Sequence, residues 1–299
     1  MTTIDTNPGE LAQRIQALTD EVVASFDGAR SPRAREVLQS LVRHLHGFAR
    51  EVRLTEQEWH QAIAFLTRCG QITDERRQEF ILLSDVLGLS MLTVAINAPQ
   101  DPVATEPTVY GPFFVKDSPE VSYGDDIAQG VSGERCWVEG RITDVDGTPL
   151  AGATVEVWEA DADGLYDVQY ADGRLAGRAH TRTDAEGRYA FWSVRPAAYP
   201  IPDDGPVGDL LKVAGRGPMR PAHIHFMASA PGYHRLVTHV FVAGDPHLGN
   251  DAVFGVKESL IREFTQHPPG PGPAGRTLTE RWWKLIFDIR LVPATGDIA

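Results

Sequence analysis

Apolar residues in the first hundred positions recur every three or four residues, the spacing of one helix face. Leu11, Ile15, Leu18, Val22 and Phe26 form one such stripe up to Gly28, behind Asn7-Pro8, an N-cap followed by proline at the first helical position. A second stripe, Leu38, Leu41, Val42, Leu45, Phe48 and Val52, follows Ser31-Pro32. A third, Trp59, Ile63 and Leu66, follows the capping box Thr55-Glu56-Gln57-Glu58 and stops at Gly70. A fourth helix is predicted from near Thr73 through Phe80, Leu83, Leu87 and Met91, ending before Pro99.

After Pro102 the texture changes to short alternating runs separated by Gly, Pro and Asp, which predicts strands and turns. Residues 136–142 and 154–158 alternate across a turn containing Asp146-Gly147 and read as an antiparallel pair. Further strands are expected at 188–194, 222–228, 236–243 and 285–292, and the Pro/Gly run 268–273 reads as a surface loop. The expected architecture is mainly β with a helical N-terminus: a helical domain over 1–102 and an antiparallel β-sandwich over 103–299.

Composition narrows the function classes. The 299 residues are 42% hydrophobic and 23% charged, the texture of a folded protein, and 28 Lys+Arg against 41 Asp+Glu give a net charge of −13. That balance repels phosphate backbones, and the Arg76-Arg77 pair sits among acids, so no nucleic-acid partner is expected. No window approaches the ~18 apolar residues of a spanning helix, and Met1-Thr2-Thr3-Ile4-Asp5 opens no export signal, so neither membrane insertion nor secretion is expected. Two cysteines, Cys69 and Cys136, are too few for a disulfide framework and fit buried residues in a reducing cytoplasm.

The sharpest chemical signal is Arg220-Pro221-Ala222-His223-Ile224-His225. On a strand, residues i and i+2 share a face, so His223 and His225 can aim two imidazoles at one point while Ile224 packs inward. Such a pair suits Zn, Cu or Fe, and two chance histidines on a strand look the same. No Cys cluster and no His-Glu-x-x-His accompanies it. Tyr166 and Tyr199 lie just past predicted strands, where a tyrosine alone reads as a ring covering a turn.

Taken together, Gly164-x-Tyr166, Tyr199-x-Ile201-Pro202-x-Asp204-Gly205-Pro206-x-Gly208 and Arg220-Pro221-Ala222-His223-x-His225, in this order, resemble the intradiol ring-cleaving dioxygenases over nearly the whole chain. The resemblance implies a mononuclear Fe(III) held by Tyr166, Tyr199, His223 and His225. Hard phenolate donors suit a ferric ion, and its charge keeps the phenols ionised. It further implies that a catechol-type diol or triol binds the iron as a dianion, that Tyr199 leaves the metal and takes a proton, and that O2 opens the ring between the hydroxyl carbons. Arg220 matches the family's active-site arginine, suited to stabilising negative charge on the ring.

Softer assignments follow from the same resemblance. Substrate-pocket residues map onto Leu82, Asp85, Val109, Tyr110, Gly111, Pro112, Phe113, Ile201, Pro202, Arg220, His239 and Val253. A carboxylate such as Asp85 in an apolar catechol pocket is costly unless something polar meets it, and a third ring hydroxyl would do so. His239 stands where catechol-cleaving members usually carry glutamine. Both point to the hydroxyquinol-cleaving branch, with the catechol branch as the alternative. The N-terminal helices are expected to form a homodimer interface, in some members with a phospholipid in an apolar tunnel. Two readings stand against the enzyme: a catalytically silent sandwich with a helical dimerisation arm, and a zinc hydrolase.

Overall fold

The computed structural model describes residues 8–74 and 77–294, so the Asn7 cap and Arg76 lie outside the described residues. Its compact units are 1–67 and 68–299, a division that falls earlier than the change of texture at Pro102.

The first unit holds α1 (Pro8–Ala24), α2 (Pro32–Glu51) and most of α3 (Glu56–Ile72). Ser31 caps α2 by accepting the Ala34 N–H, with Pro32 at the first helical position. Before α3 the Thr55 and Glu58 side chains exchange hydrogen bonds with each other's backbone N–H, the reciprocal box expected there. Within this unit, Thr19 Oγ1 meets His46 Nδ1 at 3.1 Å and Arg50 donates to Gln16. The apolar stripes face outward: Leu11, Leu18, Leu41, Leu45, Phe48, Val52 and Trp59 are all exposed.

In the second unit the single helix expected beyond Thr73 is two, α4 (Glu79–Val86) and α5 (Leu89–Asn97). Gly88 divides them at φ 73°, a left-handed conformation that glycine takes without steric cost. The break lets α4 bury Glu79, Leu82, Asp85 and Val86 while α5 turns away with Leu89, Leu92 and Ile96 exposed.

The strands are β1 (Arg135–Asp144), β2 (Thr154–Trp158), β3 (Arg178–Arg182), β4 (Arg188–Val194), β5 (Tyr199–Pro200), β6 (Met219–Arg220), β7 (His223–Ser229), β8 (Leu236–Val242), β9 (Ile261–Arg262), β10 (Thr265–His267), β11 (Gly270–Pro271), β12 (Thr277–Leu278), β13 (Trp282–Ile286) and β14 (Ile289–Leu291). One further helix, α6 (Pro206–Val213), joins β5 to β6 and was not anticipated. In one sheet, β1 lies between β4 on one side and β13 and β14 on the other, with β10 beyond β13; in the second the order is β3-β2-β7-β8-β9. Val138, Ile142, Phe191, Leu285 and Ile289 from the first sheet pack against Val155, Val157, Ile224, Phe226 and Val240 from the second.

Four expectations need correction. β1 and β2 do not pair: they lie in different sheets. The Asp146-Gly147 turn does form, but the return pairing stops at Leu150, which donates to Ile142 O, and the chain then crosses to the other sheet. The sandwich is mixed rather than wholly antiparallel, because β13 and β14 join β1 in parallel, as long connections permit. The expected 285–292 strand is interrupted at Phe287-Asp288, where Asp288 accepts the Arg141 N–H. The Pro/Gly run, expected to be irregular, contains β11, which forms a short ribbon with β12.

Candidate functional site

On β7, Ile224, Phe226 and Ala228 enter the core while His223 and His225 project from the opposite face. The antiparallel partner β8 places His239 directly across from His225. That outer face is fully covered: His223, His225 and His239 are each at most 1% exposed.

Two tyrosines reach the same point from loops. Tyr166 follows β2 and precedes a single helical turn, Asp167–Gln169, whose Gln169 side chain accepts the Tyr166 N–H. Tyr199 is held by β5, paired with β6 so that Tyr199 lies opposite Arg220. Gly164, at φ 81°, lets the two loops meet, because a Cβ there would stand 2.5 Å from Tyr199 Cβ.

Four donor atoms converge. Tyr166 Oη lies 3.0 Å from Tyr199 Oη and 2.9 Å from His225 Nε2; His223 Nε2 lies 3.2 Å from His225 Nε2 and 3.4 Å from Tyr199 Oη. Donors about 2.0 Å from a common metal stand roughly 3.3 Å apart in a tetrahedral shell, so these separations fit one ion. The His223 Nδ1–H donates to Pro221 O at 2.7 Å, which leaves the Nε2 lone pair facing the cluster. Burial, with help from Arg220, pushes the His223 imidazolium down to about 3, and burial with the neighbouring His239 also lowers His225 well below its ordinary value, so both rings are neutral and able to bind a metal. Burial raises both phenols, Tyr166 well above its ordinary value, so ionising them demands a nearby cation. These residues therefore fit a ferric ion.

A second donor set overlaps the first, because ligand atoms of His223, His225 and His239 lie within 4.8 Å of one another. Three imidazoles are a donor set that suits zinc. His239 Nδ1 is engaged by Thr108 Oγ1, while its buried Nε2 lacks a partner.

A cleft opens beside this cluster. Leu82 and Asp85 of α4 line it with Val109, Gly111, Pro112 and Phe113 from the loop entering the sandwich, Tyr199, Ile201 and Pro202, Arg220, and Val253. The structure thus brings together all the expected pocket residues except two. Tyr110 turns aside, its hydroxyl on Met227 Sδ and its ring against Phe114, and His239 lies behind the histidine pair rather than at the cleft surface. Asp85 is 3% exposed; burial raises its carboxyl, while Ser90 and Arg220 oppose that rise.

Several supporting residues escaped sequence reasoning. Asp251 accepts from Arg220 Nε at 3.1 Å and from the Gly255 N–H, holding the guanidinium where Nη1 meets His223 Nε2 at 3.1 Å. Glu79, at the start of α4, accepts from Arg77 and from the Val207 N–H of α6, fixing the two helices beside the cleft. Asp167 and Arg178 form a buried ion pair behind Tyr166. The Asp251 and Asp167 pairs and the Glu79 bond to Val207 have no local signature, because each joins residues far enough apart that no helix or strand period links them.

Residues 109–293 match the family model described as Dioxygenase, and residues 31–105 match that of the catechol dioxygenase N terminus. The chain is 59% identical to the hydroxyquinol 1,2-dioxygenase of Rhodococcus opacus, covering 93% of this chain and 94% of that protein. It is 42% identical to the catechol 1,2-dioxygenase of Candida albicans, covering 83% and 84%. The crystal structure of hydroxyquinol 1,2-dioxygenase from Pseudomonas putida matches with a TM-score of 0.88 at 44% identity, covering 95% of this chain and 100% of that one.

Proposed function

The chain belongs to the intradiol ring-cleavage dioxygenases, and on that premise we propose that it holds Fe(III) between Tyr166, Tyr199, His223 and His225 and opens the ring of hydroxyquinol with O2 to 3-hydroxy-cis,cis-muconate or its tautomer maleylacetate. The observation that carries the metal assignment is the convergence of two buried phenol oxygens and two imidazole nitrogens, with neighbouring donors 2.9–3.4 Å apart. Bound there, Fe(III) supplies Lewis acidity that draws electron density from a chelated aromatic diol.

The chain's own residues do the rest. Leu82, Val109, Ile201 and Val253 offer apolar walls that orient the ring and exclude water. Tyr199 Oη, nearer Arg220 in the register of β5 and β6, takes a proton from the incoming diol. Arg220, 3% exposed and paired with Asp251, stays protonated and presents a positive charge to the anionic ring. Asp85 meets the third hydroxyl of hydroxyquinol, which offsets the cost of its burial in the cleft. Both cysteines are free and buried, which supports the cytoplasm as its compartment.

The substrate assignment is tested by kcat/KM for hydroxyquinol and catechol in wild type and Asp85→Ala, following O2 uptake and product. Wild type should prefer hydroxyquinol, and the variant should lose that preference by about tenfold to hundredfold, the worth of one hydrogen bond to a buried charge. An unchanged ratio would remove Asp85 from the specificity argument.

A further inference from the structure

The Tyr166 ring is fixed from behind by groups that never reach the cleft. Its neighbour Asp167 opens the helical turn and is 3% exposed; Arg178, the first residue of β3, is also 3% exposed. Arg178 Nη2 donates to Asp167 Oδ1 at 2.7 Å and Nε to Oδ2 at 2.9 Å, the forked geometry that a planar guanidinium makes with a carboxylate. The same Nη2 donates to Phe113 O at 2.7 Å, and the Phe113 ring stacks on the Tyr166 ring with centroids 4.5 Å apart and planes 22° from parallel. Asp167 Oδ1 also accepts the Val168 N–H at 2.9 Å, so the carboxylate shapes the turn itself. One guanidinium therefore joins a strand, the turn after Tyr166 and the loop carrying Phe113.

Stability alone is a poor reason for such a pair. Two charges taken fully out of water are repaid only by good geometry, and well-packed apolar residues serve as well or better. What apolar residues cannot supply is direction, because the fork fixes both partners' angles at once.

We propose that Arg178 and Asp167 are positioning residues that lock the Tyr166 phenol between its turn and Phe113, setting its angle at the metal and the placement of the Gly111–Phe113 wall. This rests on Tyr166 being a metal donor. Neither residue lines the cleft, so their effect passes through Tyr166 and Phe113. Lysine at 178 keeps the charge but is a point donor, unable to hold Asp167 in a fork and reach Phe113 O together.

The test compares iron-loaded wild type with Arg178→Lys and with the apolar pair Arg178→Met/Asp167→Leu, which leaves no unpaired charge if the lysine variant fails to fold. Iron per chain, melting temperature, the visible phenolate-to-Fe(III) band, kcat and KM are read for each. Folded, iron-bearing variants should show a displaced band and a kcat lowered roughly tenfold to hundredfold, the cost of a misoriented catalytic group. A folded variant with iron bound and both band and kcat unchanged would overturn the proposal. A wild type lacking the band after iron loading would instead remove Tyr166 as a donor, a separate failure.

Discussion

At the scale of single residues, the site is a balance of buried charges. Arg220 is held by its buried ion pair with Asp251, which keeps the guanidinium at the cleft when a substrate enters. Arg220→Ala should leave iron bound yet lower kcat about 10²–10³-fold, the range found when one stabilising donor is removed from a transition state. Iron content and steady-state kinetics check this; unchanged turnover would reduce Arg220 to a structural ion-pair partner. His223 and His225 were legible from sequence because strand alternation alone puts them on one face. Tyr166 and Tyr199 were not legible individually, since a loop tyrosine carries no periodic signal, and only the ordered motifs singled them out. Asp167, Arg178 and Asp251 were invisible, because a buried ion pair made between separate segments leaves no mark on local pattern, and Glu79 was invisible because its bond to Val207 is made across the fold.

At the scale of elements, the helices followed their periodicity, although α3 runs past the expected stop at Gly70 to Ile72, and the miss at Gly88 has a plain cause. The apolar stripe runs on through Leu87 and Met91, but the left-handed glycine bends the chain between α4 and α5. That bend frees α4 to present Leu82 and Asp85 to the cleft. The stripes on α1, α2 and α3 raise a separate question, since amphipathic helices normally bury the faces that Leu18, Leu41, Leu45, Phe48 and Trp59 leave exposed. These faces support the reading that a second copy of the chain covers them. Sedimentation of the full-length protein should give a dimer, and Leu45→Lys with Phe48→Glu should give a monomer; a wild type that sediments as a monomer would contradict that reading.

Across the whole molecule, the sandwich was legible as a class but its wiring was not. The Asp146-Gly147 turn is real, yet β1 finds its partners in β4, β13 and β14, which the chain reaches only after long excursions. Local turn chemistry predicts the bend and says nothing about which distant strand supplies the hydrogen bonds. The same long connections assemble the centre: β7 supplies the histidines, the loop after β2 supplies Tyr166, and β5 supplies Tyr199. The most direct test of that assembly is a visible absorption spectrum of the iron-reconstituted protein, taken before and after anaerobic addition of hydroxyquinol. Two phenolates on Fe(III) should give a red-brown charge-transfer band that shifts when the substrate chelates the metal. A colourless protein that retains no iron, but takes up zinc through His223, His225 and His239, would contradict the ferric site and the reaction built on it.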